Sequence, residues 1–401
     1  MDYLNDSRIL DWQSLIWLPI IISTIIRVKK EWREIFDADF TMKDRATIMQ
    51  INYFIVTPLV VLLHECGHAA AMLFYGVKIA EFHYAIMWGF VRPDQALGND
   101  AELVTMLAGN VVQIVLGMVM LIAAVFAKSP PVVTLLTYSG LTAMASTLIL
   151  YTLTCFTGFQ GDWTHIYTEL AGQWKPLLMT LHATLVGLLL YLFYGFYPRL
   201  WFACKTRPKW HKDYLAAKAR IAEDPSATNY LSLAWLFYLV SLEKGAEKTL
   251  EIVREKDPNQ LEYYVLNGWL KQGKGKTDAA IENFEVIVNS SEANSYQKCR
   301  ALMAIAHCLS EQVESKLARS ARPTYDQMAP IIASYEQAHA AEPEVADPLY
   351  YKASVLNKVG LHKEAEFVLK DLQGRKWLDP ALSELHLHEL QVARKSDNRQ
   401  Q

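Results

Sequence analysis

The stretch YFIVTPLVVLLHECGHAAAMLFYGV, residues 53–77, determines how the rest of the chain is interpreted. Its apolar run is long enough to cross the hydrocarbon core of a bilayer, which takes about 20 residues of α-helix. His64, Glu65 and His68 lie inside this run. Ionisable side chains within a spanning helix are costly, so they are usually paired or functional. The stretch therefore predicts a membrane-spanning helix that carries a chemical site.

The residues from His64 to His68 form the pattern His-Glu-x-x-His. On a helix the two histidines are four positions apart and lie on one face, so both imidazoles can bind one zinc ion. Glu65 then lies beside the open coordination position and can act as a general base towards water. The plainer alternative is a pair of buried histidines that hydrogen-bond to neighbouring backbone.

The composition divides the chain into two parts. The 401 residues are 52% hydrophobic and 20% charged, with a net charge of −3 and a mean hydropathy of +0.08. Only eleven of the 81 Asp, Glu, Lys and Arg residues lie within residues 47–198. This segregation excludes a simple cytosolic enzyme, and the near-neutral charge argues against nucleic acid as a partner. The five cysteines show no CxxC spacing and are expected to be reduced thiols.

Apolar stretches predict several membrane spans. Four are long enough without reservation: residues 48–75, 103–127, 131–155 and 176–198. A shorter stretch, residues 12–28, predicts either a first span or a helix lying in the interface. Residues 77–93 are too broken to span and too apolar for a free loop. Their loosely alternating β-branched and aromatic residues favour a β-hairpin against the membrane or inside the helical bundle.

A catalytic zinc site needs three protein ligands and an open position, so a third ligand must come from elsewhere in the chain. Asp162 is our prediction, since it follows a span directly and Gly158 and Gly161 allow the backbone to bend there. An ordinary interfacial aspartate is the alternative. Three histidines are the other candidates, His165 first, followed by His83 and His182, which are more typical of ordinary residues at the membrane edge.

With the His-Glu-x-x-His helix, the hairpin-like segment and the aspartate after a later span, residues 48–198 resemble the site-2 protease family of intramembrane zinc metalloproteases. The resemblance implies that His64, His68 and Asp162 bind Zn²⁺ and that Glu65 activates water. It implies a membrane-protein substrate whose transmembrane segment must unwind locally, and an unwound strand would pair well with the edge of the hairpin.

Two motifs depart from the family pattern. The family's Ala-Gly-Pro-x-x-Asn element corresponds here to residues 108–113, where Asn110 replaces the proline and Gln113 replaces the asparagine. We predict that Asn110 and Gln113 position the substrate, the alternative being polar helix packing. The family's Asn-x-x-Pro-x-x-x-Leu-Asp-Gly becomes residues 154–163, which lack both the Asn and the Pro and have Trp163 after the aspartate.

The second part of the chain is predicted to be a soluble α-helical repeat solenoid. Small residues recur with a 34-residue period, as Ala234 and Ala246 do at Gly268 and Ala280. This period resembles tetratricopeptide repeats, which stack paired helices and usually bind proteins or peptides. The units are placed near residues 227–260, 261–294, 297–345 and 346–379, the third being lengthened by an insertion.

The predicted fold is thus an all-α membrane protein, a multi-span helical bundle with a short membrane-associated β-hairpin, followed by the solenoid. Five regions are predicted: an N-terminal span or interfacial helix with a basic linker, the metalloprotease core, a basic juxtamembrane linker, the repeats and a disordered tail. Their bounds are residues 1–46, 47–200, 201–226, 227–391 and 392–401.

The predicted function is an intramembrane zinc endopeptidase whose repeat domain recruits or gates the substrate. The alternative is a non-catalytic membrane scaffold with a structural or vestigial zinc site and a repeat domain that binds a partner. Basic residues in 199–220 place the repeats in the cytoplasm by the positive-inside rule. The same rule, with five spans, makes the helix of residues 48–75 run outward, whereas the family resemblance implies the opposite direction.

Overall fold

The structure is a computed structural model, which describes residues 12–37, 40–158, 161–317, 321–372 and 374–379 together with Leu382 and Leu385. The chain divides into two compact units, Met1–Lys212 and Asp213–Gln401. The predicted disordered tail, residues 392–401, lies outside the described residues.

The first unit is a helical bundle with one small sheet. Its main elements are α1 (Trp12–Ile35), α2 (Met42–Ile51), α3 (Thr57–Phe74), β1 (Ile79–Tyr84), β2 (Gly89–Pro93), α4 (Asn99–Phe126), α5 (Pro130–Ala145), α6 (Thr152–Phe156), α7 (Asp162–His165), α8 (Lys175–Tyr194), α9 (Phe196–Thr206) and α10 (Pro208–Glu223), which crosses the unit boundary.

Four helical stretches among the described residues are long and apolar enough to cross a membrane. They are the first span (Met42–Phe74), the second span (Asn99–Phe126), the third span (Pro130–Phe156) and the fourth span (Gly172–Tyr194). These match the four strong spans that hydropathy predicts. Residues 12–28 also form a helix, as part of α1, but α1 is not among the four stretches. Its C-terminal third carries Lys29, Lys30 and Arg33.

Two of the spans contain a π-helical segment. Residues Asn52–Val56 join α2 to α3, and residues Ser146–Tyr151 join α5 to α6. Pro58, at the start of α3, has no backbone N–H to continue an α-helical ladder. A local change to the wider π-helix keeps the surrounding carbonyls bonded, and the Thr57 hydroxyl adds a 2.9 Å hydrogen bond to the Asn52 carbonyl.

Small residues bring the spans into close contact. A Cβ atom added to Gly67 on α3 would lie 2.9 Å from the Ala108 carbonyl oxygen on α4. Gly117 on α4 and Gly140 on α5 meet in the same way, since a Cβ on Gly140 would lie 2.7 Å from the Gly117 oxygen. Van der Waals packing at such small-residue contacts holds membrane helices together, because lipid offers no hydrophobic driving force between them.

The predicted hairpin is present and lies against the first span. β1 and β2 pair antiparallel, with Tyr84 opposite Gly89 and His83 opposite Phe90. The Tyr84 hydroxyl donates a 2.8 Å hydrogen bond to the Pro58 carbonyl of α3. The hairpin is therefore fastened to the helix that carries His64 and Glu65.

The second unit is an array of paired helices. They are α11 (Ala227–Leu239), α12 (Glu243–Lys256), α13 (Leu261–Gly273), α14 (Thr277–Asn289), α15 (Ser295–Lys316), α16 (Tyr325–Ala341), α17 (Asp347–Lys358) and α18 (His362–Lys370). Helices α11, α13 and α15 begin 34 residues apart, which confirms the predicted solenoid period. The predicted insertion lengthens the third repeat, because α15 is 22 residues long and α16 begins only at Tyr325.

The recurring small residues of the repeats are core positions. Ala234, Ala246 and Ala280 are fully buried. At Gly268 the place of a Cβ is filled by the Phe284 ring, whose Cε1 would lie 2.6 Å away. The small residues that recur every 34 positions therefore mark the sites where one helix of a pair packs closely against side chains of the next helix.

Candidate metal and catalytic site

His64 and His68 lie one helical turn apart on α3, buried towards the centre of the first unit. Their Nε2 atoms are 3.0 Å apart. Asp162, at the start of α7, places its Oδ2 atom 3.4 Å from the His64 Nε2 and 3.2 Å from the His68 Nε2. The structure thus brings together the three predicted ligands, although the hairpin and two complete spans separate His68 from Asp162 in the sequence.

The hydrogen bonds at the outer edge of each imidazole determine where its proton lies. The His68 Nδ1 is 2.7 Å from the Thr105 carbonyl oxygen, which can only accept, so this nitrogen carries the proton. The His64 Nδ1 donates to the Gln113 Oε1 at 2.9 Å. The Gln113 amide orientation is fixed because its Nε2 donates to the Ala143 carbonyl at 3.0 Å. In the neutral form both Nε2 atoms therefore present lone pairs to each other.

Two facing lone pairs at 3.0 Å repel each other unless a cation or a proton lies between them. Zinc binds imidazole nitrogen at about 2.0–2.1 Å in tetrahedral geometry, which places neighbouring ligand atoms about 3.3 Å apart. The three separations of 3.0, 3.2 and 3.4 Å lie close to that value. The donor set of two imidazoles and one carboxylate therefore fits a zinc ion and leaves the fourth position open.

Asp162 is ionised in this setting. Burial raises the pKa of Asp162, but hydrogen bonds and positive charge from His64 and His68, when these imidazoles are protonated, lower it by more, so the net pKa lies below the ordinary value for an aspartate. Asn110 supports the carboxylate, since its Nδ2 donates to the Asp162 Oδ2 at 3.0 Å. The Asn110 Oδ1 in turn accepts from the Thr147 hydroxyl at 2.6 Å.

Asn110 and Gln113 both contact the predicted ligands, Asn110 through Asp162 and Gln113 through His64. Groups in such positions orient a ligand and fix its tautomer. The substrate-positioning role predicted for these two residues stays a prediction. Gly109 directly precedes Asn110, and a Cβ there would meet the Nε2 atoms of both histidines, at 2.8 Å for His64. Only glycine leaves the space in which the two imidazoles converge.

Two aromatic residues, Trp163 and Tyr151, hold the loop that carries Asp162, a supporting role that the sequence pattern does not indicate. The Trp163 Nε1 donates to the Thr147 carbonyl at 3.0 Å, and its ring stacks on Tyr167. The Tyr151 hydroxyl accepts from the Asp162 backbone N–H at 3.1 Å. Trp163, which replaces the family's glycine, thus anchors α7 to the third span instead of disturbing it.

The three alternative histidines lie elsewhere. His165 is 3.1 Å from the Glu169 Oε2 on the outer side of its turn. His83 packs against the rings of Trp88 and Phe90, both with centroids 5.0 Å away. His182 bonds to the Leu148 carbonyl and the Tyr167 hydroxyl, both at 2.8 Å. Among the described residues, only Asp162 completes a cluster with His64 and His68.

Glu65 is buried and borders a cavity of about 380 Å³ next to His64. The hairpin forms the cavity wall beside it. A Cβ on Gly89 would lie 2.7 Å from the Glu65 Cγ, so the backbone of β2 runs directly over this side chain. A carboxylate beside the two histidines predicted as metal ligands, with open space in front of it, has the position that a general base requires.

One comparison with known proteins identifies a family for this chain. The sequence model of Peptidase family M50 matches residues 53–356, about three quarters of the chain. A comparison with curated proteins finds no match. Among solved structures, the yeast protein titled "Crystal Structure of the Yeast Tom70" is similar with 13% identity and a TM-score of 0.39, over 97% of this chain and 80% of that one. This last likeness is too weak to carry an argument. The family match begins within the first span, covers the other three spans and most of the repeats, and includes His64, His68 and Asp162; the chain therefore belongs to the M50 metallopeptidases, the family of the site-2 proteases.

Proposed function

We propose that this protein is an intramembrane zinc endopeptidase that cuts a membrane-protein substrate within or near a transmembrane segment. The observation that carries the proposal is the pair of histidine Nε2 lone pairs that face each other beside the Asp162 carboxylate. A proton on one imidazole relieves the repulsion for that nitrogen alone, whereas a zinc ion takes both nitrogens and the Asp162 carboxylate as ligands at once. The family membership supports the same reading at the level of the reaction class.

In this proposal His64, His68 and Asp162 hold Zn²⁺, which when bound supplies a Lewis acid that acidifies water and polarises a peptide carbonyl. Glu65 takes a proton from the attacking water and delivers it to the leaving amine. Gln113 and the Thr105 carbonyl keep both imidazoles in the tautomer that presents Nε2 inward. Asn110 keeps Asp162 turned towards the pair.

The test compares wild type with Glu65→Gln in detergent or nanodiscs. Bound zinc is measured by mass spectrometry, and each protein is incubated with a panel of transmembrane-helix peptides. We expect about one zinc per chain in both proteins and cleavage by wild type alone. His165→Ala serves as the matched control and should retain both properties. Zinc without cleavage by wild type would favour the scaffold alternative, and no bound zinc would contradict the metal assignment.

We further propose that the repeat domain lies in the cytoplasm. The membrane face at which the first span begins, here the Met42 face, is also where the fourth span ends and the chain continues to the repeats. Twelve Lys and Arg residues lie in described segments at this face, within residues 27–45, 127–129 and 195–212. The opposite face has three, Lys78, Arg92 and Lys175. The positive-inside rule then places the Met42 face inside.

This orientation is checked with a protease added to vesicles of known sidedness. The repeats, including the chain around residues 317–325, should be cut only in inside-out vesicles. Cutting in right-side-out vesicles would show that the repeats lie outside and would contradict the proposed orientation. With the Met42 face inside, the metal site lies nearer the outer face, since His64 lies in the second half of the first span, Thr105 near the start of the second span and Asp162 just after the end of the third span.

We also propose that the repeats bind a protein or peptide that recruits or gates the substrate. Solenoids of helical pairs generally use their extended concave surfaces in this way. Deletion of the repeats should alter cleavage of a natural substrate and leave cleavage of a short transmembrane peptide unchanged, and an equal effect on both substrates would argue for a purely structural role.

A further inference from the structure

The cavity beside Glu65 extends far beyond the metal site. It runs between the first span and the third span, from Glu65 and Gly89 at one end to Asn52 and Ser139 at the other. Asn52 lies 13 residues before Glu65 on one continuous helix, so the two ends are about 20 Å apart at 1.5 Å per residue. Both π-helical segments contribute to its walls, through Asn52 and Val56 on one side and Ser146 to Tyr151 on the other.

The far end contains two polar groups without partners among the described residues. Asn52 donates from Nδ2 to the Thr142 hydroxyl at 3.1 Å, but its Oδ1 accepts nothing. The hydroxyl of Ser139, one turn before Thr142 on α5, likewise has no partner. Each residue is only 2% exposed. Exchange of the amide oxygen and nitrogen of Asn52 would still leave one of its two atoms unsatisfied.

The near end of the cavity is different. There the polar groups are engaged, because the Gln113 amide bonds to His64, Ala143 and Ser146, and the Thr147 hydroxyl bonds to Asn110. An unsatisfied polar group buried in a membrane protein costs free energy unless something supplies the missing hydrogen bond. Apart from the His64 nitrogen that faces the proposed metal position, the buried polar atoms without a partner that border this cavity, among the described residues, lie at the end farthest from Glu65.

The dimensions of the cavity exclude an α-helix. Spread over about 20 Å, the 380 Å³ open to atom centres corresponds to a channel about 5 Å across for the centres, or about 8 Å once atomic radii are added, whereas an α-helix with its side chains is about 10–12 Å across. An extended chain with small side chains is the peptide form of the right width. At about 3.3 Å per residue, six residues reach from Glu65 to Asn52.

We propose that this cavity is a substrate subsite, in which an unwound segment places a hydrogen-bonding side chain against Asn52 and Ser139 about six residues from the scissile bond. A carboxamide, the side chain of Asn or Gln, fits best, because it can donate to the Asn52 Oδ1 and accept from the Ser139 hydroxyl. A site built around such groups discriminates strongly against an apolar analogue, since that analogue leaves the buried groups unpaired. This inference rests on the proposed peptidase function, which it deepens by naming a feature of the substrate.

The test measures binding without cleavage. Fluorescent transmembrane peptides of one Leu/Ala-rich host, each with a single Leu→Asn replacement at a successive position, are bound to full-length Glu65→Gln in nanodiscs. One register should bind about ten- to hundredfold more tightly than the all-Leu host. Adding Ser139→Ala or Asn52→Leu should reduce that preference to about onefold. Thr137→Val is the matched control, because Thr137 has a buried hydroxyl without a partner on the same helix but does not border the cavity.

The cleavage assay with wild type then locates the preferred Asn relative to the cut bond, and a spacing of about six residues is expected. Equal binding of Asn and Leu hosts, as a cavity filled with water would give, overturns the inference. So does a preference that survives both Ser139→Ala and Asn52→Leu, or one that Thr137→Val also abolishes. Selective binding without any cleavage by wild type would instead remove the peptidase function and leave the subsite. Cleavage by wild type without selective binding of the Asn peptides would support the peptidase function and overturn the subsite.

Discussion

Gly109→Ala tests whether the two imidazoles converge on a metal. The added methyl would lie 2.7 Å from the His68 Cε1 and 2.8 Å from the His64 Nε2, and still nearer the His68 Nε2. Relief to an ordinary contact distance requires a shift of about 1 Å, several times the roughly 0.2 Å tolerance of a zinc–ligand distance. We therefore expect zinc affinity to fall at least a hundredfold and cleavage to become undetectable.

The assay titrates zinc into metal-free protein in detergent and follows bound metal by mass spectrometry, with size-exclusion chromatography to establish that the variant is folded. Gly187→Ala is the control, since a Cβ at Gly187 on the fourth span meets nothing within 4 Å. It should bind zinc and cleave as wild type does. A folded Gly109→Ala protein with wild-type zinc affinity would refute the reasoning that places the metal between His64 and His68.

Three further substitutions test other parts of the structure. Gln113→Leu removes the acceptor that fixes the His64 tautomer, so titration should give a zinc affinity 10–100-fold lower. Gly89→Ala forces the β2 backbone away from the Glu65 Cγ, so zinc should stay bound while cleavage falls about a hundredfold, and unchanged kinetics would separate the hairpin from catalysis. Burial lowers the pKa of His307 below its ordinary 6.5, so the folded form stays neutral while the unfolded form gains a proton below pH 6.5. Stability of the repeats should therefore fall by up to about 1.4 kcal/mol per pH unit as the pH drops below 6.5, as measured by hydrogen exchange of α15, and His307→Phe should remove that part of the dependence.

The sequence predicts the spans and the histidine pair because each depends on a local pattern. About twenty apolar residues identify a span wherever it packs, and the i, i+4 spacing places His64 and His68 on one face of any helix. The hairpin and the 34-residue period of the repeats are similarly local. All of these features are present in the structure.

The remaining features depend on contacts between distant segments. Nothing in residues 154–163 indicates that Trp163 would bond to the Thr147 carbonyl and so hold the loop that carries Asp162. Gly109 looks like a helix-packing glycine until the imidazoles are found in the space it leaves. Asn110 and Gln113 stand out in the sequence as polar substitutions, but only the structure shows that their partners across the bundle are Asp162 and His64. The cavity lined by Asn52 and Ser139 has no linear signature, since it exists only between two helices.

The distribution of the proposed ligands along the chain has a consequence for biogenesis. His64 and His68 enter the membrane with the first span, whereas Asp162 follows the third span, almost one hundred residues later. During synthesis the two histidines are in place while the carboxylate has not yet been made. The site therefore becomes complete only after the third span has inserted and its following turn has folded back. A nascent or truncated chain would be an inert precursor, and proteolytic competence would arise as a late step of membrane assembly.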